Sequence, residues 1–195
     1  VSSVASEQQL KLTGVGKSTA YLPTGTIRGT MLLLSDEQGW TPNMERLART
    51  LSHNGFAVAG ISTPAFRKAF YAGKGCANPN FMLTAIAKDF EHRLGFAHYD
   101  KPALVGTGTG ASLVYGAVAI APPNIYRGGI TVGLSPYTVG TKVWCKSAGV
   151  TMSRTDSGKT GPGWQFAPAT SLPAPLLAIE GPARGPATSR FLAGA

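Results

Sequence analysis

The sequence predicts one α/β domain of three layers, in which helices cover both faces of a mostly parallel central sheet. The chain has 195 residues, 43% of them hydrophobic and 14% charged, which suits a single folded domain over 1–195. Strand and helix patterns alternate along the chain, as they do where helices connect parallel strands. A glycine-rich turn at 106–110 joins a predicted strand directly to a predicted helix.

Short apolar runs bounded by turn residues predict the strands of this sheet. Thr30–Ser35 (TMLLLS) is a continuous apolar run of the kind that buried parallel strands show. The predicted core strands are Thr30–Ser35, Phe56–Thr63, Lys101–Val105, Ile130–Ser135 and Pro175–Glu180. Leu10–Leu22 is predicted to add one or two strands at the edge of the sheet.

Helix starts are marked by a cap residue followed by proline, because proline suits the first helical position. This pattern occurs at Thr41–Pro42 and at Asn78–Pro79. A third helix is predicted over Ala111–Ala121, whose small residues allow close packing on the sheet. Residues 136–173 are rich in Gly, Thr, Ser and Pro and are predicted to form an irregular excursion, and residues 182–195 a linker.

Composition narrows the classes of partner. The net charge of +9 and the pI near 9.8 favour anionic partners such as lipid headgroups or acidic proteins. Nucleic acid is not expected, because no helix-turn-helix, RNA-binding or zinc-finger pattern accompanies the charge. No metal site is expected, because the two cysteines lack CxxC spacing. No apolar run approaches the roughly 20 residues of a transmembrane helix, and Val1–Leu10 lacks the pattern of a signal peptide.

Two motifs compete for the turn at 106–110. The dinucleotide fingerprint G-x-G-x-x-G/A is matched by Gly106, Gly108 and Ala111. That fingerprint belongs to the first strand–helix unit of its domain and needs an acidic residue about twenty positions later. Here core strands come earlier, and no Asp or Glu occurs between Ala111 and Thr155. We therefore expect no dinucleotide and no other cofactor.

The second motif is the nucleophile elbow G-x-S-x-G of the α/β-hydrolase fold. It needs small residues two positions either side of the nucleophile, and Gly106 and Gly110 supply them. The nucleophile position itself holds Gly108. The sequence therefore predicts an α/β-hydrolase-like fold whose elbow lacks its nucleophile.

The other members of a catalytic triad are also missing. In this fold the chain order is nucleophile, acid, histidine. The histidines are His53, His92 and His98, all of which precede the turn, and only Asp156 and Glu180 follow it as acids. Glu180 ends the last predicted strand, close to where a triad acid could stand, but no histidine is there for it to orient. We therefore assign no catalytic residue.

The turn retains two further possibilities. The backbone N–H groups of Thr109 and Gly110 begin a helix and could bind a phosphate or carboxylate. Alternatively, the turn binds no ligand and has only a structural role in joining the strand to the helix. A loop formed by Asp36, Gln38, Gly39 and Trp40 is predicted to flank the same cleft. The hydroxyls nearest the apex, should an unorthodox nucleophile exist, belong to Thr107, Thr109 and Ser112.

Two segments resemble the VirJ/AcvB family of bacterial virulence proteins. They are Leu32–Ser62 (LLLSDEQGWTPNMERLARTLSHNGFAVAGIS), with its Gly-Trp loop, and Leu104–Ala111 (LVGTGTGA), at the place of the family's serine-containing elbow. The resemblance covers roughly residues 27–135 and weakens after Pro136. It implies a periplasmic protein associated with type IV secretion and virulence. The catalytic members of this family are implicated in the hydrolysis of aminoacylated phosphatidylglycerol. Some members carry two related domains in tandem, of which the first is divergent, and a glycine at position 108 fits that first domain.

The resemblance implies a non-catalytic domain that binds secretion components, secreted substrates or a companion catalytic domain. One alternative is an esterase or aminoacyl-phosphatidylglycerol hydrolase with an unorthodox nucleophile, and another is a binder of anionic lipid headgroups. The spacing of Cys76 and Cys145 alone leaves open two free thiols or one disulfide. Export, as implied by the resemblance, favours the disulfide.

Overall fold

A computed structural model describes residues 6–146, 149–157, 161–182 and 185–193. Seven strands form the main sheet, in the order β1-β2-β4-β3-β5-β6-β10. They are β1 (Ser6–Leu12), β2 (Gly16–Leu22), β3 (Gly29–Leu34), β4 (Phe56–Ile61), β5 (Ala103–Thr107), β6 (Gly128–Val132) and β10 (Leu176–Ile179). The strands from β4 to β10 in this order run parallel, and β1 and β2 add an antiparallel edge. The predicted mostly parallel sheet is confirmed.

Helices cover both faces of this sheet. They are α1 (Pro42–His53), α2 (Thr63–Ala72), α3 (Pro79–Arg93), α4 (Thr109–Ile120) and α5 (Gly185–Leu192). On one face, Met44 and Ala48 of α1 join a buried cluster with Leu33 of β3. On the other face, α3 and α4 contribute to a larger cluster with the alternate side chains of the strands, such as Leu32 and Leu104. Because alternate residues of a strand point to opposite faces, the continuous apolar run of β3 fills both cores.

Helix α2 was not predicted from the sequence. Its start repeats the signal of the other helices, with Pro64 in the first turn, after Thr63. Phe66 and Phe70 lie four residues apart and are both buried, with ring centroids 5.6 Å apart. The helix was missed because the predicted strand Phe56–Thr63 ran two residues too far and absorbed the start of α2.

The segment 136–173, predicted as an irregular excursion, contains a second sheet. Its strands β7 (Tyr137–Val139), β8 (Met152–Ser157) and β9 (Gly161–Phe166) are antiparallel, in the order β7-β9-β8. Trp164 and Phe166 of β9 point to the same side and are buried. The residues that favour strands are separated by Gly, Thr and Ser in this segment. Its composition therefore gives no clear strand pattern. Likewise α5 replaces most of the linker predicted over 182–195, although 183–184 and 194–195 lie outside the described residues.

A disulfide between Cys76 and Cys145 ties this second sheet to the segment before α3, with a Cα–Cα distance of 4.8 Å. Backbone hydrogen bonds accompany it, from the N–H of Ala77 to the carbonyl of Val143 (2.7 Å) and from the N–H of Cys145 to the carbonyl of Ala77 (2.9 Å). The disulfide implied by the resemblance is confirmed. Among the helices of the described residues, none is long and apolar enough to cross a membrane.

Helix α3 is also anchored to the turn between β1 and β2. The carboxylate of Asp89 accepts hydrogen bonds from the backbone N–H of Thr13 (2.8 Å) and from its hydroxyl (3.0 Å). Arg93 Nε donates to the same carboxylate at 2.9 Å. Burial acts to raise the pKa of Asp89, but these hydrogen bonds outweigh it and hold the pKa below its ordinary value. The charged form of Asp89 therefore stabilises the fold.

Candidate functional site

The turn between β5 and α4 has the backbone geometry of a nucleophile elbow. Gly108 has φ +53° and ψ −116° and stands directly before α4. Its N–H donates to the carbonyl of Val132, the last residue of β6, at 2.9 Å. A positive φ of this kind is strained for side-chain-bearing residues, and this strain is what lifts a nucleophile out of the turn in hydrolases. Here it is relaxed by glycine.

The flanking glycines are required by close backbone contacts. A Cβ on Gly106 would overlap the carbonyl oxygen of Gly110. A Cβ on Gly110 would lie 2.5 Å from the carbonyl oxygen of Ser35, closer than real Cβ atoms approach. The strand, the turn and the helix therefore pack backbone against backbone at the two positions where the motif demands small residues.

The carboxylate of Asp36 occupies the space above Gly108. A Cβ added to Gly108 would overlap the Cγ and both carboxylate oxygens of Asp36. Asp36 lies in the loop between β3 and α1, 73 positions before Thr109 in the chain. The space that a nucleophile side chain fills in a hydrolase is therefore taken by a carboxylate from another part of the chain.

The same carboxylate binds the backbone donors of the turn. Asp36 Oδ1 accepts hydrogen bonds from the N–H of Thr109 at 2.8 Å and from the N–H of Glu37 at 2.7 Å. In working α/β-hydrolases the oxyanion is bound by the N–H after the nucleophile and by an N–H of the loop after the third strand. Thr109 follows Gly108, and Glu37 lies in that loop. A carboxylate oxygen of the chain thus stands where the oxyanion of a substrate would be bound.

Helix α2 holds the loop that carries Asp36. The carboxylate of Glu37 receives two hydrogen bonds from the guanidinium of Arg67, at 2.6 and 2.7 Å. The N–H of Thr63 donates to Ser35 Oγ at 3.0 Å. Paired Arg–carboxylate hydrogen bonds fix orientation as well as distance. These contacts fix both neighbours of Asp36 against α2, which the sequence did not reveal.

The remaining residues of the predicted cleft loop do not all face the elbow. Trp40 Nε1 donates to the hydroxyl of Tyr21 at 3.0 Å, and the two rings stack with centroids 6.1 Å apart. The indole also covers Gly60, where an added Cβ would lie 2.6 Å from the ring. Gly39 has φ +77°, which turns the chain towards this contact, and Gln38 is exposed. Of the predicted loop, Asp36 reaches the elbow and Trp40 packs on the sheet.

The hydroxyls considered as unorthodox nucleophiles are placed differently from one another. Thr107 Oγ1 contacts Met44 Sδ at 3.3 Å, and Ser112 Oγ donates to the carbonyl of Ser135 at 2.7 Å. Thr109 Oγ1 is buried and has no hydrogen-bond partner among the described residues. No imidazole is positioned by these contacts to accept a proton from any of them.

None of the three histidines belongs to an element that carries the turn or lies beside it in the sequence. His53 and His92 lie in the last turns of α1 and α3, and His98 lies in the loop before β5. The helices that carry His53 and His92 end where the chain enters β4 and β5, and the loop with His98 also leads into β5, so all three lie at the amino ends of the parallel strands, whereas the elbow is at their carboxyl ends. Since hydrolases of this fold place their histidine beside the elbow, these three residues do not supply a base.

Glu180 follows β10 at the carboxyl edge of the sheet, the edge that also carries the elbow. Its Oε1 accepts a hydrogen bond from the N–H of Leu134 at 2.6 Å. Its Oε2 is buried and has no partner among the described residues. Glu180 therefore stands on the edge where a triad acid is expected, held by backbone. Within the described ranges, no group of three His, Cys, Asp or Glu side chains could hold a metal ion.

No family model matches the chain, and no curated protein matches it. Solved structures do. A protein described as a dienelactone hydrolase from Klebsiella pneumoniae has a TM-score of 0.55 and 14% identity, over 90% of this chain and 71% of that one. TT1662 from Thermus thermophilus has a TM-score of 0.50 and 14% identity, over 74% of this chain and 63% of that one.

The fold follows from the strand order and the helices on both faces of the sheet, and these two similar structures support the same assignment. The chain has an α/β-hydrolase-like fold. At 14% identity the likeness to either protein concerns the fold alone. A third similar structure is a dienelactone hydrolase-like phosphotriesterase from metagenomic libraries, with a TM-score of 0.48 and 11% identity over 66% of this chain. The chain spans 63% of the Thermus protein and 59% of the phosphotriesterase.

Proposed function

We propose that this chain is a non-catalytic binding domain built on a hydrolase fold. The observation that carries the proposal is the position of Asp36, whose Oδ1 accepts hydrogen bonds from the N–H groups of Thr109 and Glu37. In acyl transfer those donors must be free to stabilise the negative charge that develops on the substrate oxygen. A carboxylate bound there satisfies both donors and repels a second negative charge.

The cost to catalysis is large on general grounds. Removal of one oxyanion donor from a working hydrolase lowers the rate by about 100- to 1000-fold. Here two donors are bound by Asp36, and Gly108 offers no side chain for nucleophilic attack. An acyl-enzyme mechanism therefore lacks both its nucleophile and its electrostatic stabilisation at this turn.

The second part of the proposal concerns setting. The resemblance of Leu32–Ser62 and Leu104–Ala111 to VirJ/AcvB proteins supports a role in the periplasm, linked to type IV secretion and virulence. The partners would be secretion components, secreted substrates or a companion catalytic domain. The disulfide between Cys76 and Cys145 supports an oxidising compartment, where such bonds form and persist.

The net charge of +9 favours anionic lipid headgroups as ligands of the protein, but the geometry of the turn does not favour their binding there. A phosphate approaching the N–H of Thr109 would have to displace Asp36 from a 2.8 Å hydrogen bond. If the turn binds the headgroup, vesicles of phosphatidylglycerol should retain Asp36→Ala more strongly than Asp156→Ala, which removes an equal charge from an exposed site. Equal retention of the two would place any lipid binding elsewhere on the basic surface.

An ester-hydrolysis assay tests the absence of catalysis. The full chain is incubated with p-nitrophenyl esters of two to eight carbons and with vesicles of lysyl-phosphatidylglycerol. We expect no turnover above that of a heat-treated sample. Turnover that is abolished by Thr107→Ala, Thr109→Ala or Ser112→Ala would overturn the proposal and assign the nucleophile. Each variant is checked for native circular dichroism, so that loss of folding is not mistaken for loss of a nucleophile.

A further inference from the structure

A groove along the exposed side of α3 lies apart from the elbow and shares no lining residue with it. It has a volume of about 400 Å³, within the usual size of a ligand site. It is bordered by α3 and by the segment that follows α4. The residues that matter here are Asn80, Phe81, Thr84, Lys88, Pro122 and Ile125.

The ring of Phe81 is the most exposed large apolar side chain among the described residues. It is 79% exposed, although it belongs to a helix whose opposite side is buried. Pro122 and Ile125 extend the apolar surface across the groove. Burial of apolar surface is favourable, so a partner that covered the ring would gain affinity from it. Exposed aromatic rings of this kind are common anchors of protein interfaces.

The lining of the groove also contains an unpaired buried donor. Asn80 is only 5% exposed, and its Oδ1 accepts a hydrogen bond from the hydroxyl of Tyr126 at 2.7 Å. Its Nδ2 has no hydrogen-bond partner in the part of the chain that the structure describes. Buried polar groups are nearly always paired, because one that is not paired loses its hydrogen bonds to water without replacement. Because Nδ2 is itself shielded from solvent, an occupant would pair it with an oxygen by turning the Asn80 amide towards the groove.

The charges of the groove specify the occupant further. Lys88 lies two turns of helix beyond Phe81, and its ammonium stands 5.5 Å from the ring centroid of Tyr99. Thr84 lies between them with a hydroxyl. No Asp or Glu is among the lining residues. The groove therefore offers apolar surface together with an ammonium and a hydroxyl, above a buried amide N–H, and it complements a ligand with apolar groups and negatively charged oxygens.

We propose that this groove binds a short segment of a partner protein that combines apolar side chains with at least one Asp or Glu. An apolar side chain of the segment covers Phe81, a backbone carbonyl accepts from Asn80 Nδ2, and the carboxylate pairs with Lys88. A small molecule fits less well, because such ligands are usually 70–90% enclosed and here the main apolar contact is open to solvent. The proposal goes beyond the proposed function and is independent of whether the elbow hydrolyses esters.

Selection from a library of phage-displayed 12-residue peptides on the full, disulfide-bonded chain tests this proposal. We expect enriched peptides to carry Asp or Glu beside Leu, Ile or Phe. Their affinity, measured by fluorescence polarisation with labelled peptide, should fall at least tenfold with Phe81→Ser and with Lys88→Glu. Both substitutions are on exposed positions. Val143→Ser is the matched control, since Val143 is another exposed apolar residue (53%) outside the groove, and it should leave affinity unchanged.

Further readouts keep the outcome decisive. Peptide binding should shift the side-chain NH₂ resonances of Asn80 in ¹⁵N NMR spectra, which a contact restricted to the rim would not do. The proposal is overturned if no peptide is enriched, or if enriched peptides are basic. It is also overturned if their binding is insensitive to Phe81→Ser and Lys88→Glu. Competition by decanoate as strong as by unlabelled peptide would replace the peptide with a small carboxylate ligand and would likewise contradict it.

Discussion

Substitution of Gly108 by alanine tests whether the carboxylate of Asp36 fills the elbow. The new Cβ carries two separate penalties. At φ +53° and ψ −116°, a conformation that side-chain-bearing residues rarely adopt, the backbone strain is about 1–3 kcal/mol. The Cβ also overlaps the carboxylate of Asp36, which must leave its hydrogen bonds to Thr109 and Glu37. Hydrogen bonds to charged groups contribute about 1.5–3 kcal/mol when protected, and we take about 1 kcal/mol each because Asp36 is exposed.

These magnitudes define a double-mutant cycle. Gly108→Ala should lower the free energy of unfolding by about 3–5 kcal/mol, and Asp36→Ala by about 2 kcal/mol. The double variant should lose no more than Gly108→Ala alone, about 3–5 kcal/mol, because the hydrogen bonds of Asp36 can be lost only once. The two sites are therefore expected to couple by about 2 kcal/mol. Urea unfolding followed by circular dichroism and by tryptophan fluorescence measures all four proteins.

Gly133 provides the matched control. It has φ +70°, but an added Cβ would meet no atom within 4 Å. Gly133→Ala should therefore show only the backbone strain, about 1–2 kcal/mol, and should be additive with Asp36→Ala. The reasoning is refuted if Gly108→Ala and Asp36→Ala are also additive within about 0.5 kcal/mol.

Three further outcomes are expected from unfolding measurements. Replacement of both Cys76 and Cys145 by serine should lower the free energy of unfolding by about 4 kcal/mol, the loop-entropy value for a separation of 69 residues; an unchanged midpoint in dithiothreitol would contradict this. Gly60→Ala should destabilise by about 1–3 kcal/mol and alter tryptophan fluorescence, because its Cβ would lie 2.6 Å from the ring of Trp40; native stability would show that the indole lies elsewhere. Asp89→Ala should lose about 1–3 kcal/mol at pH 7. Because the folded-state pKa of Asp89 is lowered, its contribution is present above the unfolded-state pKa and disappears as the pH falls through the folded-state pKa; a difference from the unaltered protein that is as large at pH 2 as at pH 7 would contradict this.

Much of the fold is predictable from local patterns. Apolar runs such as Thr30–Ser35 are bounded by turn residues, and cap-plus-proline starts mark α1 and α3, so these elements follow from backbone and burial preferences alone. Strands β8 and β9 were missed because their side chains are mostly polar or small and give no apolar run. Their pairing depends on contacts across the second sheet and not on local propensity.

The candidate site divides in the same way. Gly106 and Gly110 predict the elbow from the sequence, because the close backbone contacts at these positions leave no room for a Cβ. The role of Asp36 could not be read in the same manner, since it depends on a contact between loops that are distant in sequence. The sequence contains two indications of this contact: Gly108 has no side chain and leaves room, and an acidic residue stands in the loop predicted to flank it. The sequence does not show that the carboxylate of Asp36 fills the space above Gly108.

An NMR titration of the backbone amides tests the central claim most directly. If Asp36 Oδ1 binds both donors, the amide protons of Thr109 and Glu37 should shift together between pH 7 and pH 2.5, with one common midpoint. In Asp36→Ala the component with that midpoint should disappear from both amides, whereas the amide of Ala77, which donates to the carbonyl of Val143, should be unaffected in either protein. Absence of a midpoint shared by the two amides, or its persistence in Asp36→Ala, would contradict the claim that a carboxylate of the chain occupies the oxyanion position.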